Sequence, residues 1–319
     1  MKLLYPFALI YGLITWVRNK LFDWGFLKQT KFEVPILSIG NLSMGGTGKT
    51  PHIEYFISKY KATHKIAVVS RGFGRKTEGF RYVSSNDFSE NVGDEPLQIK
   101  KKFDEITVAV GEDRVKAIQI VLKENHEVNL ILLDDAFQHR YVKRSLNILL
   151  TEYSNPFWTD LMVPAGRLRE FRFGWKRADT IIITKCPETI DLKIPQSIKS
   201  KPVYFSRIAY KSPILLQGQL SKKIILVTGI ANPLPLIGYL KKEDFELVYH
   251  FNFSDHHNFS GSDISTILSK ANSEKDAMLL TTEKDWMRLK PFLENKAINL
   301  AYIPIGVEIE NAPDDWLRI

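Results

Sequence analysis

The stretch Ser43-Met44-Gly45-Gly46-Thr47-Gly48-Lys49-Thr50 constrains this chain more than any other feature of its sequence. It follows a short apolar run, Ile36–Ile39, and precedes a helical pattern that Pro51 can open, since a residue in the first helical turn has no intrahelical partner for its amide. A strand, a glycine-rich turn and a helix in that order make a phosphate loop. Its three glycines let consecutive backbone amides turn inward around an anion. Lys49 is spaced to reach β- and γ-phosphates, and the Thr50 hydroxyl to ligate Mg²⁺. The pattern departs at one point: Ser43 stands five residues before Gly48, where the standard loop has glycine. The competing reading is a glycine-rich turn that carries Lys-Thr by chance, and the strand-loop-helix setting weighs against it.

Around this loop, short apolar runs alternate with helical patterns, as in an α/β chain with a largely parallel sheet. Strands are expected at Ile36–Ile39, Ile66–Ser70, Ile106–Val110, Val128–Leu133, Leu146–Leu150 and Thr180–Thr184, with helices at Pro51–Lys61 and Arg114–Glu124. A second series follows near Ile224–Thr228, Leu247–Phe251, Ala277–Thr281 and Asn299–Ile303. Residues 209–223, with Pro213, Gly218 and polar neighbours, read as a linker, with a β-hairpin expected in it. The expected organisation is an N-terminal helix in 1–30, a phosphate-loop lobe in 31–208, the linker, and a smaller α/β lobe in 224–319, with a cleft between the lobes. A single cysteine, Cys186, excludes a disulfide framework and a cysteine-only zinc site. The net charge of +8 favours anionic partners.

Leu3 to Val17 carries no charge over 15 residues, too short a helix to cross a hydrocarbon core about 30 Å thick. Only Lys2 precedes it and no small-x-small cleavage site follows, so it is expected to stay attached. Trp16 and Trp24 are interleaved with Arg18, Lys20, Lys28 and Lys31, which suits a helix lying in a membrane interface; a terminal helix capping the protein's own core is the other reading.

The apolar run ending at Leu133 delivers Asp134-Asp135 to the carboxyl end of a strand, where open α/β sheets bind ligands. One aspartate can hold Mg²⁺ through water or Thr50 while its neighbour orients a ligand or base; a solvated turn is the alternative. Gln138 and His139 follow at the same edge. Asp94 and Glu95, in Gly93-Asp94-Glu95-Pro96, are either helix-capping acids or, for Asp94, a base that accepts a proton from an alcohol. Arg71, Arg114 and Arg167 lie beside glycines or strand ends, and a guanidinium fork suits phosphate. Between Arg167 and Arg177 five basic residues face one acid, Glu170. A histidine in Asp255-His256-His257, brought across the cleft, can orient Asp94.

Taken in order, Ser38-Ile39-Gly40-Asn41, the loop through Pro51, Ser70-Arg71-Gly72-Phe73-Gly74-Arg75, Gly93-Asp94-Glu95-Pro96, Asp134-Asp135-Ala136-Phe137-Gln138-His139, Gly166-Arg167-Leu168-Arg169-Glu170, Asp255-His256-His257 and Thr282-Glu283-Lys284-Asp285 resemble the tetraacyldisaccharide 4'-kinase (lipid A 4'-kinase) family over nearly the whole chain. The resemblance implies ATP- and Mg²⁺-dependent transfer of the γ-phosphoryl group to the 4'-hydroxyl of a tetraacylated glucosamine disaccharide 1-phosphate. It implies two α/β/α lobes joined by a β-hairpin, with an N-terminal helix on the cytoplasmic face of the bacterial inner membrane. By motif, Asp94 is the base and His256 its dyad partner; Glu95, Asp134 and Asp135 serve metal and site geometry; Lys49 and Thr50 bind nucleotide and metal. Arg114, Gln138, His139 and Arg167 are implied as supporting groups. Phe171 stands where many members have proline.

Three other classes share parts of this pattern. Partition ATPases place a lysine where this chain has Met44, and a GTP switch needs an aspartate that Thr184-Lys185-Cys186-Pro187 lacks. Nucleic-acid binding rests on the basic balance alone, with no recognition motif, and no required protein partner is expected.

Overall fold

The computed structural model describes residues 4–255 and 257–318. In chain order its elements are α1 (Tyr5–Asp23), β1 (Ile36–Asn41), α2 (Lys49–Tyr60), β2 (Ile66–Ser70), β3 (Arg81–Tyr82), α3 (Ser89–Val92), α4 (Asp94–Lys102), β4 (Thr107–Val110), α5 (Arg114–Glu124), β5 (Leu130–Asp134), β6 (Leu146–Glu152), β7 (Thr180–Thr184), β8 (Val203–Tyr210), β9 (Ile214–Gln217), β10 (Lys223–Thr228), α6 (Leu234–Lys242), β11 (Glu246–Asn252), α7 (Gly261–Ser273), β12 (Met278–Thr282), α8 (Glu283–Leu293), β13 (Leu300–Ile303) and β14 (Ile305–Ile309). They form two compact units, one of Met1–Ile208 with Val307–Ile319, the other of Ala209–Gly306.

The first unit is built on a sheet of order β14-β8-β7-β6-β1-β5-β2-β4-β3. From β8 to β4 every neighbouring pair is parallel, and β3 closes the edge antiparallel to β4. The central strands are runs of Ile, Leu and Val buried on both faces, as expected where helices cover both sides of a parallel sheet. Parallel strands end on the same edge. The segments that leave β1, β2, β4 and β5 therefore start side by side, and the chain reverses direction across the sheet at β1, flanked by β5 and β6. The core beneath this edge joins Leu37, Ile39, Ile53, Phe56, Ile57, Val68, Leu97, Ile99, Leu130 and Leu132. Trp316 from the C-terminal tail completes it, edge-on to Phe56 and Tyr204.

The second unit carries a sheet of order β11-β10-β12-β13-β9, parallel except for β9, which runs antiparallel to β13. Within residues 209–223, expected as a linker and β-hairpin region, Ile214–Gln217 forms the edge strand β9. One boundary differs from the sequence expectation. Residues 307–319 return to the first unit rather than ending the second, since the buried Trp316 needs the aromatic socket beside α2. Strand β5 also runs on to include Asp134, and α2 begins at Lys49 rather than at Pro51.

Helix α1 docks through a narrow face. Ala8, Gly12 and Phe22 are buried, and a Cβ at Gly12 would come within 2.6 Å of the Phe171 ring, so helix and ring meet closely there. Asn19 donates to the buried Glu170 carboxylate at 2.7 Å, and Arg140 binds both the Asn19 carbonyl and Asp23. The opposite face exposes Phe7, Ile10, Leu13, Ile14 and Val17, with Phe7 and Ile14 each 63% exposed. Among the described residues no helix is long and apolar enough to cross a membrane.

Candidate active site

The phosphate loop leaves β1 at Asn41 and is held from both sides. On one side the Met44 amide donates to the Arg167 carbonyl at 2.7 Å, and Arg169 N donates to Leu42 O at 2.8 Å, so the 167–169 segment runs beside the loop as an antiparallel clip. On the other, Asn41 Nδ2 donates to Thr47 Oγ1 at 2.8 Å. Positive φ falls on Gly45 (108°) and Gly48 (85°), where a side chain would be strained, and not on Ser43. That is why serine replaces the first glycine: Ser43 lies buried in the clip with an ordinary backbone. Gly48 caps α2 in the left-handed region and leaves the first-turn amides, including those of Lys49 and Thr50, at the helix end that favours anions.

Beneath the loop, His52 Nδ1 lies 2.7 Å from the Gly48 carbonyl and Nε2 lies 3.0 Å from Ser206 Oγ. Complete burial pushes this histidine down to about 4, so the neutral ring donates to the carbonyl and accepts from the serine at ordinary pH. Neither Asn41 nor His52 was legible as a loop support from sequence, because one polar residue in a buried element has no spacing signature.

The two aspartates at the end of β5 sit in opposite environments. Asp134 is 2% exposed; Ser70 Oγ donates to its Oδ2 at 3.0 Å, while Oδ1 has no hydrogen-bond partner. Burial, and then the nearby charges of Glu95 and Asp135, push its carboxyl up to about 7. Asp135 has φ 45°, a left-handed turn that directs it away from the strand, and accepts Arg169 Nη1 on both oxygens at 2.9 and 3.0 Å. Burial alone would raise it, but Lys49, 3.7 Å away, and Arg169 outweigh burial and hold it below the usual range. Two adjacent carboxyls with pKa values driven apart mark a site built around charge.

Asp94 and Glu95 open α4, both half-buried. Gly93 before them has φ 91°, and a Cβ there would come within 3.2 Å of the Gly72 backbone, so the Gly93 turn lies directly on the segment leaving β2. This contact brings Gly93-Asp94-Glu95 to the edge that already carries Arg71 and Asp134. Arg71 is exposed and Arg114 is 6% exposed. Arg114 donates to the Glu112 carbonyl at 2.9 Å, and burial, followed by the charge of Arg71, lowers its pKa while Asp134 and Asp135 oppose that.

Gln138 donates to the Asn41 carbonyl at 2.8 Å and to Glu170 at 3.2 Å, which ties the β5 loop to the start of the phosphate loop. His139 is driven down to about 4 by burial and then by Arg114 and Arg144, and its Nε2 is buried without a partner. Arg167 is placed differently from the expectation. Its side chain pairs with Asp160 at 3.2 Å and Glu152 at 3.4 Å, and it serves the loop through its carbonyl. The guanidinium that reaches the acidic edge belongs to Arg169. His256, the remaining expected residue, lies outside the described residues.

A family model described as tetraacyldisaccharide-1-P 4'-kinase matches residues 1–318. The chain belongs to this family. Proteins named tetraacyldisaccharide 4'-kinase from Flavobacterium johnsoniae and Cytophaga hutchinsonii are 42% and 40% identical to it, over 95% and 96% of this chain and 91% of each relative. A crystal structure of Aquifex aeolicus LpxK in complex with ATP superposes with a TM-score of 0.79 at 29% identity, covering 97% of this chain and 95% of that one. In this member of the 4'-kinase family, Phe171 stacks on Phe173 and presents its ring to Gly12, so it takes part in docking α1.

Proposed function

We propose that the protein transfers the γ-phosphoryl group of ATP to the 4'-hydroxyl of a tetraacylated glucosamine disaccharide 1-phosphate, a step of lipid A synthesis. The observation that carries this reading is the single sheet edge that joins a complete phosphate loop to the split pair Asp134–Asp135, in a chain that matches the kinase family from end to end. Loop amides and Lys49 hold the β- and γ-phosphates. Asp94 accepts the proton of the 4'-hydroxyl as its oxygen bonds to the γ-phosphorus and the bond to the β–γ bridging oxygen breaks.

The donor set fits Mg²⁺. Asp134 Oδ1 is buried without a partner, and burial, followed by the charges of Glu95 and Asp135, raises its pKa, a penalty that a cation beside it would offset. Among the described residues no three acidic, histidine or cysteine side chains form a ready metal cage. Thr50 and Asp134 would hold Mg²⁺, with Glu95 and Asp135 beside them. When bound, it shields the charge of the β- and γ-phosphate oxygens.

The exposed apolar face of α1 supports peripheral attachment to an inner-membrane surface on its cytoplasmic side, where an acylated acceptor is met. Changing Phe7, Ile10 and Ile14 together to serine should weaken vesicle binding at least about tenfold at unchanged Tm; unchanged binding would contradict the attachment. The catalytic reading is tested by ATP consumption with and without the acylated disaccharide. Acceptor-dependent turnover is the expected result, and equal turnover in its absence would indicate a hydrolase.

A further inference from the structure

Glu54 lies one turn beyond Thr50 on α2 and is 4% exposed. Its carboxylate accepts Gln98 Nε2 at 2.7 Å and Lys102 Nζ at 2.6 Å. Both donors stand on α4, the helix that opens with Asp94. Residues four apart on a helix share a face, so Asp94, Gln98 and Lys102 form one stripe and Thr50 and Glu54 another. The bridge therefore ties the two stripes together one turn from their amino ends, where Thr50 and Asp94 stand.

The surroundings make the choice of residues informative. Ile53, Phe56, Ile57, Leu97 and Ile99 are fully buried in the same core, and apolar side chains at 54 and 98 would join the helices without the cost of desolvating a carboxylate. Apolar contacts, however, tolerate a slide of one helix along the other, whereas two directional bonds to one carboxylate do not. Phosphoryl transfer depends on placement, and an error of about 1 Å can cost on the order of a hundredfold in rate. We propose that the Glu54–Gln98–Lys102 bridge is a positioning device for the reaction: it fixes the height of α4 against the phosphate-loop helix and so holds Asp94 in line with the γ-phosphate. This inference rests on the reading of Asp94 as the base.

The test measures kcat and KM for ATP with the acylated disaccharide as acceptor. In Glu54→Gln the side chain keeps its size but turns an amide toward one of its two donors, so kcat should fall about tenfold while KM for ATP stays within about twofold. In Glu54→Gln/Gln98→Glu the carboxylate moves to α4, where it can accept from the amide at 54 and from Lys102 one turn away; kcat should return to within about threefold of the natural protein. Unchanged kcat in folded Glu54→Gln, or a loss that the exchanged pair does not recover, would overturn the proposal. If Glu54→Gln does not fold, Gln98→Leu removes one bond and leaves the ion pair; lowered kcat at constant KM supports the proposal and unchanged kcat overturns it. Asp94→Asn separates the two readings. Full activity in Asp94→Asn beside lowered kcat in Glu54→Gln would sink Asp94 as the base and leave the register role standing. With Asp94 as the base, adding Glu54→Gln to Asp94→Asn should slow the enzyme little further, and fully multiplicative losses would contradict action through Asp94.

Discussion

Two buried aspartates stand at strand ends in the two units, and their surroundings are opposite. In the second unit Asp285, in the first turn of α8, has no exposed surface and both oxygens are engaged: Gly229 N at 2.9 Å and Thr282 Oγ1 at 2.7 Å on one, Arg288 on the other. Arg288 in turn binds the carbonyls of Gly229 and His257. In the first unit Asp134 is nearly as buried, but one oxygen has no partner, and burial with the charges of Glu95 and Asp135 outweighs the charge of Lys49. A closed knot of this kind holds loops in place. An under-satisfied carboxylate beside a phosphate loop is costly to the free protein and is relieved when a cation arrives. The same residue type, at the end of β5 in one unit and in the first turn of α8 in the other, is under-satisfied in the first case and fully partnered in the second.

Four variants can break this contrast. Lys49→Ala should lower kcat by about a thousandfold or more with the fold retained, because Lys49 supports phosphate charge and little of the core; near-normal turnover in folded protein would remove the phosphate-loop assignment. Asp285→Ala should cost about 3–5 kcal/mol of stability by leaving Arg288 buried without its carboxylate. Asp134→Asn, by contrast, should leave Tm unchanged or raised while activity is lost, and equal destabilisation by both changes would erase the distinction between knot and site. Asp94→Asn keeps shape and removes basicity, so turnover should fall about a hundredfold with nucleotide affinity nearly constant. A collapse of ATP binding with turnover preserved at saturation would make Asp94 a ligand instead.

The smallest effect concerns acid. His52 is held from its usual 6.5 down to about 4 by burial, so between those values the unfolded chain takes up a proton that the folded chain refuses. Its contribution to stability is present above pH 6.5 and is lost as the pH falls toward 4. His139 shifts in the same direction. Thermal melts should show Tm falling over this window, and His52→Gln should flatten the fall by about 2–4 °C. An identical pH profile would place the acid sensitivity elsewhere.

Much of the first unit could be read from sequence because its signals are local. The phosphate loop and Asp134-Asp135 are contiguous, and buried parallel strands appear as apolar runs. What escaped depends on contacts distant in sequence. The segment holding β9 looked like a linker because an exposed edge strand with Pro213 and Gly218 on its flanks has little apolar periodicity. The tail looked like the end of the second lobe because nothing near Trp316 announces a socket formed by Phe56 and Tyr204. Arg167 and Arg169 are indistinguishable by spacing, yet Asp160 and Glu152 occupy the first and leave Asp135 to the second. Glu54, Gln98 and Lys102 each look like a solvated helix position until α2 and α4 are packed together.

The most direct test of the account follows the phosphorus atom. With ATP labelled in its γ-phosphate and an acylated glucosamine disaccharide 1-phosphate as acceptor, label should appear on the acceptor as a second phosphate monoester, assigned to the 4'-oxygen by mass analysis. Label released only as inorganic phosphate, or attached at another position of the sugar, would contradict it.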